Sequence, residues 1–293
     1  MKQKAYLACR KRFKTARYKG KVGFQMEMRS AIVVGATGLV GSHLVQLLCE
    51  SEEYISVTVL TRRKLDYEHE KLVERIVNFD KLAESDFDFA HEVFCCLGTT
   101  IKKAGTKEQF EKVDVEYPLN VASLAKKHGI GHFIVISAMG ANDKALAYYS
   151  RVKGKLEKEL IDLDLPQLSI VRPSLLVGDR KEFRLGEKAG EVALNVINPL
   201  LVGPMKKARS IEASQVALAM KVIALHGKKQ KVSIYDSEEL ATMQMPEPEE
   251  QKVSHDNVFN WRKLKKDEPA PLDEEVVFNK SKLKELEVEK DEE

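Results

Sequence analysis

The chain has 293 residues, 43% of them hydrophobic, enough to bury a large core in one sizeable α/β domain or two small ones. Its 48 basic and 45 acidic residues leave a formal charge of +3, too weak an excess to imply a nucleic-acid partner. Four cysteines without CxxC spacing argue against a metal site or a disulfide framework and suit a reducing compartment. No apolar run reaches the roughly 18–20 residues of a membrane span, so a soluble, cytoplasmic protein is expected.

Residues 1–29 hold ten Lys or Arg and a single acid, Glu27. This reads as a disordered basic leader, or as a transit peptide that would direct the chain to an organelle. A β-branched run at 31–35 then has the character of a buried parallel strand. It leads into a glycine loop made of Gly35, Ala36, Thr37, Gly38, Leu39, Val40 and Gly41, followed by a helix-like stretch at 42–50. Gly35 permits a tight turn, Gly38 lets the backbone approach a pyrophosphate, and Gly41 lets the helix pack on the strand. The helix start offers free N–H groups and a positive dipole end to phosphates. Set between a strand and a helix, the triplet predicts a dinucleotide site lined by Gly35, Thr37, Gly38, Leu39, Val40 and Gly41.

A second strand at 56–60 ends in Thr61, Arg62 and Arg63. An acid here would hydrogen-bond the ribose 2′-hydroxyl of NAD, whereas paired guanidiniums match a 2′-phosphate. NADP(H) is therefore the expected cofactor and NAD(H) the alternative; taken alone, the two arginines would be an ordinary solvated turn. A third strand at 75–79 ends at Asp80, placed to cap the next helix or reach the adenine amino group. A fourth at 92–97 brings Leu97, Gly98 and Thr99 close to the cofactor, and a helix is expected over 109–127, interrupted near its start by Pro118. Such alternation predicts a Rossmann-type doubly wound parallel sheet with helices on both faces.

The fifth strand, 132–136, delivers Ser137 to its carboxyl end, the edge where open α/β sheets bind ligands. Beyond it, Tyr149 and Lys153 stand four residues apart and share one helix face. Lys153 would favour the tyrosinate and hold the nicotinamide ribose, Tyr149 would exchange a proton with a substrate oxygen, and Ser137 would orient that oxygen. A tyrosine four residues from a lysine is also a common exposed helix pair, and Ser137 by itself suits a turn. The joint order of glycine loop, basic strand end, Ser and Tyr-x-x-x-Lys favours catalysis. Tyr148, with Val152 at i+4, is expected to pack, and glycines between His128 and His132 argue against a helical metal pair.

With these residues in view, the chain resembles the short-chain dehydrogenase/reductase superfamily, in its atypical branch. It is similar there to the oxidoreductases related to the Tat-interacting protein. The segments that carry the resemblance are the 35–41 glycine loop, Arg62-Arg63, 94–100 with Lys103-Ala104-Gly105, Ser137, Tyr149 to Gly154, and Arg172-Pro173 followed by Gly178 and Arg180. It covers about residues 30–240 and implies a seven-stranded Rossmann sheet, NADPH, and a Ser137–Tyr149–Lys153 catalytic group. Arg172 and Pro173 are expected at the cofactor. Enzymes of the superfamily often place an asparagine on the fourth helix to support a proton-relay water; here the matching residue is Asp114.

Residues 181–210 mix glycine, proline and apolar residues and are expected to form an insert that covers the substrate. A helix at 213–225 and a last strand at 232–235 complete one domain over 30–240. Residues 241–293 form a charged tail: from Pro246 onward half the residues are charged, and two apolar islands, 258–261 and 276–278, could dock on a partner. Two functions follow. One is an NADP(H)-dependent oxidoreductase acting on a carbonyl or alcohol; the other is an NADPH-binding, redox-sensing regulatory module with little or no turnover.

Overall fold

The computed structural model describes residues 17–19, 25–87, 89–178 and 209–246. Strands β3 (Arg29–Val34), β4 (Tyr54–Thr61), β5 (Leu72–Ile76), β6 (Glu92–Cys95), β7 (His132–Ile136), β8 (Leu168–Arg172) and β11 (Val232–Asp236) form one sheet. Their order is β11-β8-β7-β6-β3-β4-β5, and every neighbouring pair is parallel. From β3 the chain winds outward through β4 and β5, then crosses back to β6 and winds the other way. The order reverses between β3 and β6, and an open parallel sheet forms its ligand crevice at such a point.

Alternation along β3 divides the core between the two faces. Ala31 and Val33, with Val57, Val59 and Phe94, pack beneath α1 (Leu39–Cys49) and α6 (Ala213–His226). Ile32 and Val34, with Leu60, Val93 and Cys95, pack beneath α4 (Tyr117–Lys127) and α5 (Tyr148–Asp162). A strand buried on both sides is a continuous apolar run, which is why 31–34 shows no polar alternation. Helix α1 buries Val40, Leu44, Val45 and Leu48 at helical spacing, each worth about 1.5–3 kcal/mol when fully removed from water. The expected doubly wound Rossmann architecture is the one observed.

Several boundaries differ from expectation. The third strand is Leu72–Ile76 rather than 75–79, because β5 pairs residue for residue with Val57 to Thr61 of β4. Phe79 is instead turned into the core by a 3-10 turn (Phe79–Lys81), and that turn is capped by Asn78, whose Oδ1 accepts from the Asp80 N–H. Asp80 is therefore not the cap. The helix expected over 109–127 is three pieces: α3 (Lys107–Glu111), a π-helical turn (Lys112–Glu116) and α4. Two-residue strands β9 (Leu176–Val177) and β10 (Ile211–Glu212) pair in parallel, and α7 (Ser237–Thr242) follows β11.

Within the leader read as disordered, β1 (Arg17–Lys19) and β2 (Gln25–Glu27) pair antiparallel with Arg17 opposite Glu27, and Arg29 already belongs to the sheet. The rest of the leader, residues 179–208 (which include 181–208 of the expected insert) and the tail beyond Pro246 lie outside the described residues.

The amino edge of the sheet holds a buried polar cluster. Arg29 donates from Nε to Glu92 Oε1 (3.0 Å) and from Nη2 to Oε2 (2.8 Å), and the Tyr54 hydroxyl also donates to Glu92. His132 sits at the start of β7 with Nε2 2.9 Å from Ser169 Oγ, a strand-start role as expected. Among the described residues no group of His, Cys, Asp or Glu could hold a metal, and no helix is long and apolar enough to cross a membrane.

Candidate active site

The carboxyl ends of β3 and β6 nearly touch. Gly35, at φ +80°, turns the chain out of β3, and a Cβ there would stand 2.4 Å from the Cys96 carbonyl carbon. The Gly35 carbonyl accepts from the Gly38 N–H at 2.9 Å, and a Cβ on Gly41 would lie 2.3 Å from that same oxygen. Strand, loop and helix therefore close on one another through backbone, with Gly35 and Gly41 at the points of contact. Helix α1 begins at Gly38, which has no side chain to cap the first-turn N–H groups. Those donors and the dipole suit a diphosphate. Thr37 and Gly38 are exposed, whereas the Val40 side chain and part of Leu39 pack inward, leaving the loop backbone open beside Thr37.

At the next strand end Arg62 and Arg63 are both exposed, and no carboxylate pairs with either among the described residues. Thr61 Oγ1 fixes this corner by donating to the Arg63 carbonyl at 2.8 Å. Asp80 stands nearby with Oδ1 accepting from the Tyr117 hydroxyl (2.7 Å) and paired to Lys112 (2.7 Å). These contacts, the Lys112 bond foremost, hold its carboxyl below the usual range. After β6 the chain passes through Leu97, Gly98 and Thr99 into a short helix, α2 (Ile101–Ala104), which Thr100 caps.

The Ser137, Tyr149 and Lys153 side chains all arise at this carboxyl edge. Ser137 follows β7 and is 3% exposed, and its Oγ has no hydrogen-bond partner among the described residues. A buried hydroxyl left without a partner costs free energy, so this one fits a ligand oxygen. Tyr149, in the first turn of α5, is 41% exposed, and its ring rests at 6.0 Å from that of Phe110. One turn on, Lys153 is 3% exposed, and a Cβ on Gly98 would lie 3.8 Å from its Nζ.

Lys153 does not stand alone. Its Nζ lies 2.7 Å from Asp114 Oδ1, slightly off the hydrogen-bonding direction, and Asp114 Oδ2 accepts from the Thr99 N–H at 2.8 Å. Burial by itself would drive the Lys153 proton off, but the Asp114 charge, with the nearby Tyr149, holds Lys153 above its usual value. The π turn aims Asp114 inward; such insertions recur at functional sites. An acid between Val113 and Val115 was the visible signal, but its pairing with Lys153 was not foreseen. Burial pushes the neighbouring Cys95 thiol up to about 12, which leaves it inert as a nucleophile.

Helix α5 is set by close contact with its own leading loop. A Cβ on Gly154 would lie 2.1 Å from Asn142 C, and Asn142 N–H donates to the Ser150 carbonyl at 3.0 Å. Tyr148 packs as expected: its ring lies against Phe110 and its hydroxyl donates to Glu111 Oε1 at 3.0 Å. Two expected cofactor residues are engaged elsewhere. The Arg172 guanidinium is committed to Glu157 in a two-bond ion pair, and Pro173 is buried with its carbonyl taken by the Met139 N–H at 2.9 Å.

The glycine cradle and the Ser137, Tyr149 and Lys153 positions lie within a stretch that known proteins share. The family described as NAD(P)H-binding matches residues 35–198. The chain belongs to this NAD(P)H-binding family. It falls in the atypical short-chain dehydrogenase/reductase group. Protein HTATIP2 of Rattus norvegicus is 39% identical over 169 residues, 56% of this chain and 69% of that protein. Protein FMP52, mitochondrial, of Candida albicans is 31% identical over 223 residues, covering 73% of this chain and 97% of that protein. Its counterpart in Eremothecium gossypii is 33% identical over 221 residues, 73% and 96%.

Among solved structures, MoeE5 in complex with UDP-glucose and NAD shares the fold at TM-score 0.54 and 15% identity, over 72% of this chain and 79% of that one. The UDP-glucuronic acid 4-epimerase of Bacillus cereus in complex with NAD does so at TM-score 0.52 and 13% identity, over 71% and 77%. The family members named mitochondrial overturn the cytoplasmic location expected from cysteine spacing and the lack of an apolar span. A reducing environment for thiols is not peculiar to one compartment, so that inference was too narrow.

Proposed function

We propose that the chain is an NADP(H)-dependent oxidoreductase acting on a carbonyl or alcohol substrate, with Ser137, Tyr149 and Lys153 as its catalytic group. The observation that carries this is the unpartnered, buried Ser137 hydroxyl at the carboxyl edge shared with an exposed Tyr149 and a charged, buried Lys153. The residues fit a dinucleotide: the cradle of Gly35, Thr37, Gly38, Leu39, Val40 and Gly41 presents backbone donors where a Cβ on Gly35 or Gly41 would collide. Arg62 and Arg63 would take the 2′-phosphate, Asp80 the adenine side, and Leu97, Gly98 and Thr99 the inner wall. Lys153 would reach the nicotinamide ribose. The Arg172 guanidinium is held by Glu157 and the Pro173 carbonyl by the Met139 N–H, so neither is given a part in holding the cofactor.

A bound nicotinamide supplies or accepts the hydride. In reduction, the Tyr149 hydroxyl gives its proton to the substrate oxygen, Ser137 donates a hydrogen bond to that oxygen, and the Lys153 charge supports the phenolate left behind. Oxidation runs the same proton path in reverse. Support for a mitochondrial setting comes from the family members so named and from the ten basic residues against one acid in 1–29.

The test is NADPH consumption, followed at its absorbance band, with a panel of aliphatic and aromatic carbonyls. Wild type is expected to turn over at least one of them, and Tyr149→Phe to lose at least about a hundredfold in kcat, the usual scale of general acid catalysis. Tight NADPH binding without turnover of any panel member would instead return the regulatory alternative.

A further inference from the structure

On the oxidoreductase reading above, one buried ionisable group of the site, Asp114 beside Lys153, has no assigned work. Lys153 is enclosed, and an isolated ammonium in a dry interior sheds its proton. Three groups face it: Asp114 from the π turn, Tyr149 from its own helix and Cys95 from the end of β6. The Cys95 thiol keeps its proton, so Asp114 is the carboxylate among them. Asp114 is itself fully buried, and its second oxygen holds the Thr99 N–H of the loop that would line the cofactor. An asparagine of the same shape would keep the Thr99 bond and lose the counter-charge. The chain therefore spends a buried carboxylate where a neutral amide would satisfy the loop, and the difference between the two falls on Lys153.

We propose that Asp114 is a positioning residue of this site, an ionised counter-charge that keeps Lys153 an ammonium and fixes it beneath the Gly98–Thr99 loop. The pair lies directly against Gly98: a Cβ there would stand 3.6 Å from Asp114 Oδ1 and 3.8 Å from Lys153 Nζ.

The experiment is an NMR titration of the full chain carrying [ε-13C]lysine, from pH 7 to 11.5, with the Lys153 signal assigned by its loss in Lys153→Met. In wild type Lys153 is expected to stay protonated beyond the other lysines. In Asp114→Asn its midpoint is expected to fall by at least about one pH unit, the scale on which a neighbouring charge acts. An unchanged midpoint overturns the proposal. Should Asp114→Asn fail to fold, Asp114→Asn/Lys153→Met removes the stranded ammonium and is expected to fold with a melting temperature near that of Lys153→Met. A double variant as unstable as the single one overturns the proposal as well, since the Thr99 bond would then be all that Asp114 provides. The titration uses neither cofactor nor substrate. A shifted midpoint without NADPH turnover sinks only the oxidoreductase reading, and an unshifted one with turnover intact sinks only the role of Asp114.

Discussion

Replacing Gly41 by Ala tests the cradle directly. The new Cβ would sit 2.3 Å from the Gly35 oxygen, 2.9 Å from the Gly35 carbonyl carbon and 3.0 Å from Ala36 Cα. All three are backbone atoms, so no side chain can swing aside. To restore an ordinary contact the start of α1 must retreat from β3 by roughly 1 Å. Overpacking of this kind costs about 1–3 kcal/mol. Alanine recovers up to about 1 kcal/mol through its better helix propensity. The net loss should lower the melting temperature by roughly 2–8 °C in a domain of this size. The retreat also carries the first-turn N–H groups away from the diphosphate. Hydrogen bonds to charged groups are worth about 1.5–3 kcal/mol each, so losing one weakens NADPH by roughly tenfold to a hundredfold. Thermal melting and calorimetric titration read the two effects together. Gly105→Ala is the control: at φ +81°, with nothing within 4 Å of a new Cβ, it should lose some stability through backbone strain and leave binding alone. A Gly41→Ala protein that melts with wild type and binds NADPH as tightly would refute the claim that close backbone approach builds the site.

Three further outcomes are expected. Gly98→Ala meets nothing closer than 3.6 Å, so the fold should melt as wild type while NADPH titration shows weaker binding; equal binding would detach Gly98 from the cofactor wall. Glu92→Gln removes the counter-charge of the Arg29 ion pair, whose guanidinium side is 24% exposed, and should cost roughly 2–3 kcal/mol in urea denaturation, somewhat below a fully buried pair. Because that cluster lies at the opposite edge of the sheet, NADPH affinity should not move. Burial lowers His132 to about 4, with Arg29 adding to the effect, so the folded chain refuses a proton that the unfolded chain accepts from about pH 6.5 downward. Its contribution is therefore present above that pH and fades as pH falls through 4, by roughly 3 kcal/mol in all. Comparing urea midpoints at pH 7 and pH 5 for wild type and His132→Gln checks this, and parallel pH slopes would contradict it.

The parts of the fold legible in the sequence were those where one local pattern had one physical solution. A β-branched run followed by three spaced glycines admits a strand, a turn and a helix, and β3 and α1 stand there. The strand at His132–Ile136 was bounded by a glycine on one side and a small polar residue on the other, and its limits agree with the reading. Where position depended on a partner far along the chain, the local pattern misled. Residues 75–79 look as strand-like as 72–76, and only the register against β4 selects the latter. The π turn likewise has no sequence signature, because it arises from packing that rewards turning Asp114 inward toward Lys153. Arg172 was expected at the cofactor from the resemblance alone, because its partner, Glu157, lies fifteen residues earlier on a helix face that could not be placed against it.

The closure of β3 against β6 at Gly35 means that the proposed phosphate seat is already shaped by backbone contacts without a nucleotide. Nothing there has room to widen, so a dinucleotide meets a finished mould and gains or loses little by reshaping it. On the proposed reading, discrimination between the two common nicotinamide coenzymes would fall to the corner after β4, whose two arginines are exposed. Coenzyme choice would thereby be separable from foldability, open to redesign at that corner without reopening the structure beneath.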